Sequence, residues 1–329
     1  MSINDEFVKF INKNLALTKR DIQESVKTRE WIINRVISTI EKQDKQPQLY
    51  CENNKKYISF GSYFKGTKVS NVDEFDILLI IDTNNGQFMK GNIKDGNGIG
   101  TADPNYLYSS KFYKSGETNV SSRKLLNWLK DMVDEALSPW GCESSERDGQ
   151  AVTAYIKNTD VHIDFVPGCI FQKVESYGQD GFFYIIPKGD INCGWIETNP
   201  RIDKEIIANL SKENTQFKNT IRLFKYLFKE SYPIRFSSYA IESAIVAYAK
   251  ENIFFNDYKF DFIGIINFLK RLIEEENIPD MRDENINLMG EVNKDSALKT
   301  LNVIWKEFYK LDERSYTFSK DVEEFLRNE

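Results

Sequence analysis

Apolar positions along this chain change their spacing twice, which divides it into three stretches. Up to residue 45 the spacing is helical. Phe7, Phe10, Ile11 and Leu15 fall on one face of a short amphipathic segment, and Ile22, Val26, Ile33, Val36 and Ile40 mark a longer helix. Thr18 is placed to cap that helix, and Gln46-Pro47 to end it. From Lys56 to Ile186 the apolar residues gather into short β-like runs at 57–60, 75–81, 151–156, 161–166 and 182–186, with one helical stretch at 122–137. From Arg201 onward the spacing is helical again, over 201–211, 215–230, 238–251, 260–275, 295–311 and 318–327. Strands followed by a run of helices predict an α+β architecture. The stretch 187–200, with a proline at each end, is the predicted boundary between a core over 1–200 and a helical lobe over 201–329.

The candidate chemistry lies at the start of two strands. Glu74-Phe75-Asp76 opens the apolar run Ile77-Leu78-Leu79-Ile80-Ile81, and a third acid, Asp164, lies in the run 161–166. Residues two apart on a strand share a face, so Glu74 and Asp76 point the same way. Acids at such positions are seldom buried unless paired or bound to a metal. Upstream, Gly61-Ser62 forms a turn that can offer a backbone N–H and a hydroxyl to phosphate. Nucleotidyl transfer needs this set. A hydroxyl attacks an α-phosphate, pyrophosphate leaves, and two divalent ions roughly 3.5–4 Å apart assist both events. Glu74 and Asp76 are assigned to the metals, Asp76 as the bridge; Asp164 completes the site on the attacking side and helps deprotonate the hydroxyl. Mg²⁺ or Mn²⁺ would suit three carboxylates. His162, two residues before Asp164, is read as a packed or hydrogen-bonded neighbour.

In the helical lobe Lys218, Arg222, Lys225 and Lys229 form a basic stripe beside the apolar stripe Phe217, Ile221, Phe224 and Phe228. Phe236-Ser237-Ser238-Tyr239 follows. Cation, hydroxyl and ring together suit a triphosphate and a base, with the nucleotide held between core and lobe. The polar stretch 82–121, with Asn84-Asn85-Gly86 and Asp95-Gly96-Asn97-Gly98, has no phosphate-loop spacing and reads as surface loop.

Composition narrows the picture. The chain is 41% hydrophobic and 29% charged, with no apolar run near the ~18 residues of a membrane span. Its N-terminus lacks the features of a signal peptide, so a cytoplasmic protein is expected. Cys51, Cys142, Cys169 and Cys193 are scattered and there is one histidine, which argues against a zinc module. A net charge of −6 gives no footprint for long nucleic acid.

Gly61-Ser62-Tyr63 through Glu74-Phe75-Asp76 resembles the catalytic motif of cyclic GMP–AMP synthase and its bacterial relatives, the cGAS/DncV-like nucleotidyltransferases of anti-phage (CBASS) signalling. Phe64-Lys65-Gly66-Thr67 is closer to the bacterial form. Phe224-Lys225-Tyr226-Leu227 and Phe236-Ser237-Ser238-Tyr239 resemble the donor-nucleotide motifs of the animal enzyme. The resemblance implies a polymerase-beta-like mixed sheet with an N-terminal spine helix and a C-terminal helical lobe. It implies that Lys225 and Ser238 contact phosphate and that Tyr239 stacks on the base. The substrates would be nucleoside triphosphates, ATP or GTP foremost and pyrimidine triphosphates as alternatives. The product would be a cyclic di- or trinucleotide that acts on a separate effector protein. The zinc thumb of the vertebrate DNA sensor is absent, and Phe165-Val166-Pro167 departs from the animal pattern after the third acid. Two other readings stand beside this one. A linear-oligonucleotide or RNA-end nucleotidyltransferase would favour a long basic groove. An inactive Mab-21-type scaffold would be expected to have lost carboxylates that are all present here.

Overall fold

The computed structural model describes residues 2–17, 19–43, 48–51, 54–69, 74–82, 89–90, 99–100, 119–138, 142–156, 161–173, 181–189, 194–290 and 292–329. The predicted cap Thr18, the stop Gln46-Pro47 and the two Asn/Gly clusters at 84–86 and 95–98 lie outside the described residues.

In chain order the elements begin with α1 (Ile3–Phe10), a π-helical turn (Ile11–Leu15) and α2 (Lys19–Lys42). β1 (Tyr57–Phe60), α3 (Gly61–Lys65), β2 (Glu74–Ile81), β3 (Met89–Lys90), β4 (Ile99–Gly100), β5 (Asn119–Val120) and α4 (Ser122–Leu137) follow. Next come β6 (Cys142–Asp148), β7 (Ala151–Ile156), β8 (His162–Lys173), β9 (Gly181–Pro187) and β10 (Trp195–Thr198). The chain then runs through α5 (Pro200–Glu213), α6 (Phe217–Tyr226), a second π-helical turn (Leu227–Ser231), α7 (Ser238–Glu251), α8 (Tyr258–Glu274), α9 (Lys294–Tyr309) and α10 (Phe318–Arg327). The predicted α+β class, mixed sheet and helical C-terminal part are borne out.

The contacts divide the chain into two compact units. One comprises Lys19–Tyr63 and Val72–Pro200; the other comprises Met1–Thr18, Phe64–Asn71 and Arg201–Glu329. In the first, strands run in the order β1-β2-β8-β7-β6, with β9 and β3 joined to the far end of β8 and β10 to β9. β2 and β8 are parallel, whereas β1, β7, β9 and β10 pair antiparallel with their neighbours. Ile77 to Ile81 are all buried, as befits a strand covered on both faces. α2 and α4 pack together, and Arg35 Nε donates to the Ala136 carbonyl (3.2 Å). α4 is capped by Ser121, whose hydroxyl accepts from the Lys124 N–H.

β8 runs past the predicted end at Val166. Pro167 and Gly168 suggest a break, yet they fall after β7 pairing ends at Phe165 and before β9 pairing begins at Cys169. A missing N–H costs no ladder bond on that edge. A Cβ at Gly168 would stand 2.6 Å from the Leu78 side chain, so the residue also admits close packing across the sheet. Cys169, next along, is fully buried, and burial pushes its thiol up to about 12. Cys51 is exposed. A maleimide reagent at neutral pH should therefore label Cys51 and spare Cys169, whose thiolate fraction is roughly 10⁻⁵. Peptide mass mapping checks this; labelling of Cys169 in the folded protein would contradict its burial.

The helical unit has its own core. Phe7 of α1 is buried with its ring 5.8 Å from both Tyr258 and Phe262, 6.2 Å from Phe308 and 6.5 Å from Phe325. Ser2 and Asp5 form a capping box that starts α1. The first helix thus belongs with helices made at the other end of the chain.

Candidate active site

The parallel register of β2 and β8 decides the arrangement of the acids. Glu74 pairs with His162 and Asp76 with Asp164, so all four side chains share one face of the sheet on strands about 4.8 Å apart. Ligand atoms of Glu74, His162 and Asp164 lie within 4.8 Å of one another. Asp164 also pairs across to Thr153 of β7, whose hydroxyl donates to its Oδ1 at 2.6 Å. Burial holds the Asp164 carboxyl above the usual carboxylate range; the Thr153 hydrogen bond opposes this, and the negative charge of Glu74 adds to it. Two acids drawn together where water is scarce form a set that a hard cation would relieve.

Gly61 fixes the turn against this face. Its φ is +75°, and a Cβ there would stand 1.6 Å from Asp76 Oδ2 and 2.5 Å from Asp76 Cγ. Only glycine lets the backbone approach so closely in that conformation. Ser62 follows in the first turn of α3, half-buried. Tyr63 anchors the same turn to β2, its ring edge-on to Phe75 at 4.8 Å. Gly61 therefore lies directly against one predicted carboxylate, and Glu74 and Asp164 converge with His162, for which the sequence predicts only a packed or hydrogen-bonded neighbour. The signal available for His162 was its i,i+2 spacing from Asp164.

The other candidates lie in the helical unit. Phe217, Ile221, Phe224 and Phe228 are buried as the apolar stripe required. The basic stripe is not a uniformly solvated face. Lys229 is exposed, but Lys225 is buried, and its ammonium is ion-paired with Glu242 of α7. Glu242 is 1% exposed and also takes the ammonium of Lys65 and the Thr67 hydroxyl, the latter at 2.6 Å. Burial works to raise the Glu242 carboxyl, but Lys225 and Lys65 outweigh it and hold the group below its usual range. Burial also lowers Lys225, against the pull of Glu242. Lys65, Thr67 and Glu242 were not picked out as site residues. Glu242 had a legible signal, being the one charge in the apolar run Ala240–Ala249.

Ser238 and Tyr239 open α7 just after its cap, Ser237, and both are half-buried. The Tyr239 hydroxyl donates to Asp280 (3.0 Å) and Asp203 (3.3 Å). Burial, with the charge of Asp203, pushes the phenol well above its usual range, so it stays a neutral donor.

In fold this chain is similar to solved structures, and over part of its length its sequence is similar to a nucleotidyltransferase domain. Residues 63–180 match the Mab-21 protein nucleotidyltransferase domain. The chain is 24% identical to a probable cyclic nucleotide synthase of Bacillus cereus (strain VD146), over 82% of this chain and 78% of that protein. It is 22% identical to a cyclic GMP–AMP synthase-like receptor of Aethina tumida, over 89% of this chain and 84% of that one. Among solved structures, Escherichia coli MS115-1 CdnC with ATP superposes with a TM-score of 0.69 at 15% identity, covering 99% and 98% of the two chains. Elizabethkingia meningoseptica CdnE cyclic dinucleotide synthase with GTP and Apcpp gives 0.62 at 11% identity, covering 93% and 98%. The resemblance read from the Gly61-Ser62 and Glu74-Phe75-Asp76 motifs is borne out. No helix among the described residues is long and apolar enough to cross a membrane.

Proposed function

We propose that this chain joins nucleoside triphosphates into a cyclic di- or trinucleotide, releasing pyrophosphate at each bond, and that the product signals to a separate effector protein in defence against phage. The observation that carries the reading is the β2–β8 register, which aligns Glu74 and Asp76 with His162 and Asp164 while Gly61 packs on Asp76. The bacterial relative named a probable cyclic nucleotide synthase supports it.

Glu74, Asp76 and Asp164 would hold two divalent ions, Mg²⁺ or Mn²⁺, whose chemistry is to acidify the attacking ribose hydroxyl and to neutralise the departing pyrophosphate. The donor set fits such ions, because carboxylates suit Mg²⁺ and Mn²⁺. Asp164 accepts the hydroxyl proton at its carboxylate, whose hold on a proton burial strengthens. The new bond forms between the ribose oxygen and the α-phosphorus as the bond to pyrophosphate breaks. Ser62 Oγ and the Gly61 N–H donate to the β- and γ-phosphates. Lys225 and Ser238 are assigned to phosphate and Tyr239 to a base; Glu242 holds the Lys225 ammonium in an ion pair.

Incubation with all four labelled triphosphates and Mg²⁺ or Mn²⁺, followed by phosphatase and mass analysis, tests the reading. The expected result is a phosphatase-resistant product of the mass of a cyclic di- or trinucleotide. Phosphatase-sensitive linear products, or extension of an RNA end instead, would overturn it.

A further inference from the structure

Within the helical unit, Tyr239 is held by four charged side chains. Its hydroxyl donates to Asp280 and Asp203, while the Arg282 guanidinium and the Lys65 ammonium lie 5.5 and 5.3 Å from its ring centroid. Asp203 comes from α5 and Asp280 from the segment between α8 and α9, and both are buried, at 8% and 2% exposure. Arg282 ties them together. Its Nε and a terminal nitrogen bond Asp280 at 3.2 and 3.0 Å, and its Nε lies 3.4 Å from Asp203. The Arg282 backbone N–H donates to the same Asp280 carboxylate at 2.8 Å.

Two buried acids beneath a nucleotide's base would repel its triphosphate if they stood alone. Here Arg282 meets Asp203 and Asp280, and Lys65 is paired with Glu242 beside Lys225, so three carboxylates face three cations and the platform is balanced. The hydroxyl anchor also limits how the ring can tilt, and stacking requires a fixed plane.

We propose that Asp203, Asp280 and Arg282 are positioning residues of the nucleotide site: the carboxylates fix the plane of Tyr239, and Arg282 cancels their charge so that an anionic nucleotide can approach. This rests on the assignment of Tyr239 to a base. Burial raises the Asp203 carboxyl above its usual range against the pull of Arg282, whereas the Arg282 hydrogen bonds hold Asp280 below its usual range against burial, so the guanidinium favours the charged form of both acids.

The test measures binding of a non-hydrolysable ATP analogue with Mg²⁺ to the full chain, with melting temperature, KM and kcat on the same samples. Arg282→Ala should weaken binding and raise KM about tenfold or more, with kcat changed by no more than about twofold. Arg282→Ala combined with Asp280→Asn should recover most of that loss, because the unmatched charge is removed while the amide oxygen still accepts from Tyr239. Arg282→Lys should lie between parent and Arg282→Ala. Parent-like binding by Arg282→Ala, even with a lower melting temperature, would overturn the proposal. So would a double variant as weak as Arg282→Ala. Failure of the cyclic product to appear with wild-type protein would sink the proposed reaction instead, and is read in a separate assay.

Discussion

Replacing Asp76 by asparagine is expected to abolish nucleotidyl transfer while leaving the protein folded. The change keeps the shape of the side chain and removes one negative charge from a face where Glu74 and Asp164 already crowd. Without metal that charge is a cost, so the melting temperature should hold or rise. Loss of one carboxylate from the two-ion site proposed above would remove several kcal/mol of transition-state stabilisation, a rate loss on the order of 10³-fold or more. The comparison is product formed per folded molecule, with circular dichroism and thermal melting as controls. Parent-like turnover by folded Asp76→Asn would remove Asp76 from the metal site.

The second large effect should come from a single methyl group. Gly61→Ala places a Cβ 1.6 Å from Asp76 Oδ2 on a backbone with φ of +75°. The left-handed conformation alone costs a non-glycine residue roughly 1–2 kcal/mol. The clash adds to this, because Asp76 Cγ and Cβ are also within reach, at 2.5 and 3.0 Å. Either the turn or the carboxylate must move. Activity should fall to about the level of Asp76→Asn, and stability by about 2–4 kcal/mol. Combining Gly61→Ala with Asp76→Ala should destabilise less than the sum of the two single effects, because the second change trims the atoms that clash. Strict additivity in urea unfolding would show that the contact is not the cause.

Most of this fold was legible from spacing. The helices at 238–251 and 318–327 and the strands at 57–60 and 151–156 form where the apolar pattern put them. β6 was not legible, because Cys-Glu-Ser-Ser-Glu-Arg-Asp has no apolar alternation. It forms as an edge strand that borrows its order from β7. β8 was cut short because Pro167-Gly168 is a strong local signal that tertiary register overrides. At the site, the i,i+2 spacing of Glu74 and Asp76 gave a shared face, but only the pairing of β2 with β8 brings in Asp164 and His162. The stripe at Lys225 was visible as a pattern, whereas its burial depends on Glu242 and Thr67, which periodicity cannot connect.

The grouping of residues 64–71 with the C-terminal helices bears on how the protein is made. Lys65 leaves the ribosome 177 positions before Glu242, the carboxylate that binds it. At roughly 5–20 residues per second that is a wait of roughly 9–35 seconds. Phe7 waits longer for Phe262, Phe308 and Phe325. Residues 19–63 and 72–200 have all emerged by then, so the sheet can close while two earlier segments remain without partners. The helical unit closes last, on contacts of high sequence separation. A fragment beginning at Arg201 would lack Phe7, Lys65 and Thr67, leaving Glu242 with Lys225 alone and a hole where the aromatic core should be.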